Sequence, residues 1–144
     1  MRETLKSLGR AAALVLVLPS LASYAVRSRI LGKDRALEGS TQALALIPGI
    51  IGQYLRQAFL SRTLAHCHPT ATISFGTLFS QTGARIDEHV YVGAHCHLGR
   101  VHLEPDVLVG SGVHITSGRH THGTGDLSRS IREQGGAQIG RAHV

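Results

Sequence analysis

Tryptophan is absent from the 144 residues, and three tyrosines and three phenylalanines are the only aromatics. A stacking platform for single-stranded bases therefore has little to be built from. Two cysteines are too few for a disulfide framework. Charged residues make up only 17%, against 42% apolar, which excludes a disordered polyelectrolyte. Glycine is plentiful at seventeen residues, but no G-X-Y period runs through them, so collagen is excluded and a turn-rich fold is favoured. The length suits about one domain.

The net charge of +6 invites a nucleic-acid reading, but its distribution opposes one. Residues 1–62 carry nine Arg/Lys and three Asp/Glu, whereas residues 63–144 carry six of each. All ten histidines lie at position 66 or later. The positive charge flanks an apolar stretch instead of clustering on one face, and no nucleic-acid partner is expected. Two regions are expected: 1–65, helical, apolar and basic, and 66–144, neutral and rich in His and Gly.

Ala11 to Val26 is a run of sixteen uncharged residues, bounded by Arg10 on one side and by Arg27 and Arg29 on the other. A membrane-spanning helix needs about 20 apolar residues. This run is short and contains Pro19. Three readings stand beside one another. The run is a helix on the cytoplasmic membrane surface with its arginines at the headgroups, an ordinary helix packed on the rest of the protein, or a signal peptide cleaved near Ser23-Tyr24-Ala25. After Pro48-Gly49, the spacing of Ile50, Ile51, Tyr54, Leu55, Ala58 and Phe59 predicts an amphipathic helix to about residue 65. Gln53, Arg56, Gln57 and Arg62 fall between these, and the apolar face is expected to cap the end of the C-terminal region.

The C-terminal region repeats. At an offset of 17, Val90-Tyr91-Val92-Gly93 falls on Val107-Leu108-Val109-Gly110, and His97-Leu98 falls on His114-Ile115. One step earlier, Phe75-Gly76 falls on Val92-Gly93. A hexapeptide unit lies inside, typically aliphatic at its first position; the first positions are 69, 75, 81, then 86, 92, 98, then 103, 109, 115. The template points sixteen side chains inward between Ile73 and Ile115, Phe75 and Gln81 among them. All except Gln81 are apolar. Short strands joined by corners, three to a turn, make a three-sided parallel β-helix whose coils touch only their neighbours. A polar stretch at about 117–138 leaves this coil before Ile139-Gly140 resumes it, and a long loop in a solenoid is usually functional. That loop holds His120, His122, Asp126, Arg132 and Glu133.

Ile86-Asp87-Glu88-His89-Val90-Tyr91-Val92-Gly93 and Val109-Gly110-Ser111-Gly112-Val113-His114-Ile115 resemble the hexapeptide-repeat acyltransferases, which form left-handed β-helices. The resemblance covers about residues 65–144. Ser117-Gly118-Arg119-His120-Thr121-His122, Ser130-Ile131-Arg132-Glu133-Gln134-Gly135-Gly136 and Ile139-Gly140 look more narrowly like the bacterial O-acetyltransferases related to serine, maltose and streptogramin acetyltransferases. The resemblance implies a mainly β fold behind N-terminal helices, a homotrimer, and acetyl-coenzyme A in a groove between prisms. It assigns no particular residue to the coenzyme and implies no metal. The implied reaction is O-acetylation of a hydroxyl on a sugar or polysaccharide precursor. A neutral imidazole suits the deprotonation of an alcohol attacking a thioester. The resemblance carries that role to His120, with His122 two residues away as the other candidate. Asp126, Arg132 and Glu133 would orient the base or hold the acceptor, or else pin the loop.

The resembling chains continue with further coils, whereas this one stops at Ile139-Gly140-Arg141-Ala142-His143-Val144. A C-terminally truncated member is therefore implied, expected to fold poorly or lack activity by itself. Two alternatives remain. His97 and His114, one coil apart, could line an edge with His120 or His122, which resembles the zinc site of the γ-class carbonic anhydrases on the same prism. A non-catalytic truncated scaffold is the other. Cys96, between His95 and His97, is expected to point inward as a small hydrophobe, and His66-Cys67-His68 to be a turn ahead of the first coil.

Overall fold

The computed structural model describes residues 1–117, 128 and 130. Four helices come first: α1 (Arg2–Leu16), α2 (Leu18–Leu31), α3 (Lys33–Ala45) and α4 (Gly49–Thr63). Nine two-residue strands succeed them: β1 (His66–Cys67), β2 (Thr72–Ile73), β3 (Leu78–Phe79), β4 (Arg85–Ile86), β5 (Tyr91–Val92), β6 (His97–Leu98), β7 (His102–Leu103), β8 (Leu108–Val109) and β9 (His114–Ile115). They form three parallel sheets, β1-β4-β7, β2-β5-β8 and β3-β6-β9. The chain thus winds as a three-sided coil of the β-helix kind, with every strand paired to the strand one coil away. The helices hold more of the described chain than the strands do, so the expectation of a mainly β protein is corrected to a mixed one.

The uncharged run breaks where proline demands it. Pro19 sits in the first turn of α2, where a missing N–H costs nothing. The chain bends by 47° between the helical stretches Thr4–Leu16 and Leu18–Leu31. Among the described residues no single helix is long and apolar enough to cross a membrane; the bent pair passes by length and composition. Ala13 and Val17 are buried, whereas Val15, Leu16, Val26 and Ile30 face outward. The Tyr24 and Phe59 rings stand nearly perpendicular with centroids 5.8 Å apart, which holds α2 to α4.

Among the described strands, the helices contact those of the first coil, α4 lying on β1 and β2 and α3 on β3. The face that α4 buries differs from the one its apolar spacing suggests. Ile50 and Ile51 are exposed, whereas Arg56, Gln57, Ala58, Phe59 and Leu60 are buried. Burial begins where α4 reaches the coil. Arg56, only 2% exposed, donates from Nη1 to the carbonyls of Leu44 (3.0 Å) and Ile47 (2.7 Å), and from Nε to that of Ile73 (3.0 Å). It thereby bonds carbonyls in the last turn of α3 and just beyond it, where the regular helix ladder runs out. A Cβ at Gly52 would stand 1.9 Å from the Ile47 carbonyl oxygen, so only glycine lets the chain fold back there.

The inner column is Cys67, Ile86 and Leu103 on one side, Ile73, Val92 and Val109 on the second, and Phe79, Leu98 and Ile115 on the third. All but Ile115 are buried. From the second coil to the third the register step is seventeen residues, Arg85 pairing with His102 and Tyr91 with Leu108. From the first to the second it is nineteen, because Thr72 pairs with Tyr91. The repeat reading is therefore two residues out in the first coil. Cys67, Ile73 and Phe79 take the places assigned to 69, 75 and 81, Phe75 is 38% exposed, and Gln81 is not buried. His66 and Cys67 belong to the first coil and do not precede it.

The extra pair of residues lies in one corner. Five residues, 80–84, join β3 to β4, whereas three, 99–101, join β6 to β7. The longer corner is held from outside: Asp34, in the first turn of α3, accepts from the backbone N–H and the hydroxyl of Thr82, each at 2.8 Å.

Candidate functional site

In-register parallel pairing stacks the outward side chains into ladders about 4.8 Å apart at the backbone. The β2-β5-β8 face carries Thr72, Tyr91 and Leu108, with the Ser74 hydroxyl donating to the Tyr91 oxygen at 3.2 Å. This face is poor in reactive groups. The other two concentrate the histidines.

On the β3-β6-β9 face, Leu78, His97 and His114 lie in register. The rings of His97 and His114 meet edge to face, with centroids 6.1 Å apart. This pair stands where the chain enters the polar stretch. Ser117, buried just beyond β9, accepts the Arg100 N–H on its hydroxyl at 2.8 Å and so ties the exit to the second coil. His120, His122, Asp126, Arg132 and Glu133 lie outside the described residues.

On the β1-β4-β7 face, His66, Arg85 and His102 are in register. Asp87, just past β4, sits between the two imidazoles. Its Oδ2 is 2.8 Å from His102 Nε2 and its Oδ1 is 3.8 Å from His66 Nε2. A carboxylate accepts, so the short contact is one in which the Nε2–H of His102 donates to Asp87 Oδ2. A carboxylate-oriented imidazole is a chemically competent general base. Sequence spacing and motif do not mark Asp87 and His102 as a pair, although Asp87 lies in a motif that carries the resemblance and both positions fall within the repeat; they become neighbours once coils are stacked. A third pair, His89 Nδ1 and Asp106 Oδ1 at 3.4 Å, joins two corner residues that both adopt positive φ.

Among the described residues no group of three His, Cys, Asp or Glu side chains could hold a metal ion. A zinc centre using His97 and His114 would have to take its remaining ligands from residues beyond those described. Cys96 points inward as expected, its thiol 3.1 Å from the Gly110 carbonyl oxygen. Cys67 is also buried, and burial pushes its thiol pKa up to about 12, so neither cysteine is placed as a nucleophile.

Comparison of the chain with family models, with curated proteins and with solved structures finds no match.

Proposed function

We propose that this protein is an acetyl-coenzyme A-dependent O-acetyltransferase of the hexapeptide-repeat class. Its coil would be left-handed and assembled as a homotrimer. Its acceptor would be a hydroxyl on a sugar or polysaccharide precursor. One observation carries the reading: a three-sided parallel coil delivers the chain, through the His97–His114 face and the anchored Ser117, into the segment that holds His120 and His122. That sequence of parts is what the resemblance requires of an acyltransferase of this class.

In this reading His120 or His122 takes the proton of the acceptor hydroxyl as it attacks the thioester carbonyl. Asp126, Arg132 and Glu133 orient that imidazole or hold the acceptor. Holding alcohol and thioester in line supplies much of the acceleration. A cytoplasmic, membrane-associated location is part of the proposal. It is supported by the apolar residues that α1 and α2 turn outward between basic ones.

The test is release of free thiol from acetyl-coenzyme A with sugar acceptors, in the whole chain and in His120→Ala and His122→Ala. Turnover abolished by one of the two substitutions supports the proposal and names the base. A chain that melts cooperatively yet releases no thiol favours a non-catalytic scaffold. Zinc retained stoichiometrically through purification would favour the hydratase.

A further inference from the structure

A cleft of about 590 Å³ lies between the helices and a corner of the coil, away from the histidine face that leads to residue 120. Its size falls in the range of small-molecule sites, roughly 300–1,000 Å³. Lys6 and Arg10 border it from α1, Gln53 and Tyr54 from α4, and Thr70 and His89 from the coil. Lys6 and Arg10 are one helical turn apart and share a face. No aspartate or glutamate is among its described lining residues. The Asp106 carboxylate, outside that lining, meets the His89 ring at 3.4 Å.

The cleft does not end there. Arg10, Gln57 and Pro69 also border a second cavity of about 350 Å³, which adds Arg62 and again has no carboxylate among its described lining residues. The two cavities are neighbours, with Arg10 bordering both. The cleft is also firmly built. Gln57 donates to the His68 carbonyl at 3.3 Å, the Thr70 hydroxyl accepts the His89 N–H at 2.9 Å, and the Tyr54 ring packs where α1 narrows to Gly9. Cations gathered in a concave, part-apolar site favour an anion that also carries an organic group. Arginine adds a planar fork matched to phosphate oxygens.

We infer that this cleft binds a phosphate monoester, with Lys6 and Arg10 on the phosphate and Gln53 as a neutral donor beside them. The inference is independent of the acyl-transfer reading. Two sources share this chemistry: the headgroup of an anionic lipid, to which the outward apolar residues of α1 would give access, and a soluble phosphate ester.

The test uses the whole chain and two probes. One is glycerol 3-phosphate, measured by calorimetry. The other is phosphatidylcholine vesicles with and without phosphatidic acid, measured by sedimentation. The Lys6→Gln/Arg10→Gln double variant is expected to weaken binding at least tenfold. Gln53→Glu, which alters charge but hardly shape, is also expected to weaken it. The charge-matched Arg29→Gln/Arg35→Gln variant, outside the cleft, is expected to bind within twofold of the parent. Binding of the vesicles alone assigns the lipid headgroup; binding of glycerol 3-phosphate assigns the soluble ester. Equal losses in the two double variants overturn the inference, as do unchanged binding in Lys6→Gln/Arg10→Gln or no binding of either probe by the parent chain.

Discussion

Arg56 Nε donates to the carbonyl of Ile73 at 3.0 Å, so a cation in the last helix is bonded directly to the backbone of the first coil. The same guanidinium holds Leu44 and Ile47 beyond the coil. Helices and coil therefore share a buried polar junction, and their stabilities are expected to be coupled. Arg56→Met would take this donor from the Ile47 and Ile73 carbonyls, while Leu44 keeps the Ile47 N–H, and is expected to cost about 2–4 kcal/mol in urea unfolding. Arg56→Lys should recover little of this, because an ammonium cannot reproduce the planar fork.

The register of the first coil can be checked by truncation. Ile73→Ala and Phe79→Ala remove inner-column side chains and should cost about 2–5 kcal/mol each. Phe75→Ala removes a half-exposed ring that stands perpendicular to His95, with centroids at 5.4 Å, and should cost about 1 kcal/mol or less. A larger loss at Phe75 than at Ile73 would restore the seventeen-residue step there.

Burial gives Cys67 a measurable signature. Its pKa is raised from 9.0 to about 12 because the thiolate would have to sit in an apolar interior. The folded state therefore disfavours the charged form. Stability is untouched at neutral pH and falls as pH rises from about 9 towards 12, by about 1.4 kcal/mol per pH unit. Cys67→Ala should flatten that part of the alkaline profile. Iodoacetamide at pH 8 should label neither Cys67 nor Cys96 in the folded protein and both in denaturant.

The Asp87–His102 pair is only partly buried, so its worth is modest despite a 2.8 Å contact. A double-mutant cycle with Asp87→Asn and His102→Gln should give a coupling of about 0.5–1 kcal/mol, weakening in salt. If the pair serves catalysis, thiol release from acetyl-coenzyme A should fall by more than that energy accounts for. An unchanged rate in both variants would leave the pair a purely structural bond.

The second and third coils are legible in the sequence because their apolar positions recur at a constant step, which inward packing enforces. The first is misplaced by that step because its last corner is longer than its counterpart, and no apolar pattern marks an insertion in a corner. Asp34, which holds that corner, is separated from Thr82 by 48 residues. Spacing alone puts Arg56 outward because it gives a charged residue no reason to be inside; the reason is the set of carbonyls it finds there. Ile50 and Ile51 have the right spacing for a core face but precede the point where α4 meets the coil. The site candidates His120, His122, Asp126, Arg132 and Glu133 rest on local motif, which says nothing about which groups stand beside them. The histidine ladders depend on knowing the stacking distance in residues.

Every strand of the third coil stands directly over its counterpart in the second, seventeen positions on along all three walls. The tower can accordingly grow by whole storeys, and its nineteen-residue lowest one shows that a corner also takes up two extra residues with the walls still in line. A duplicated seventeen-residue block spliced in at a corner would add a floor and leave every existing wall plumb.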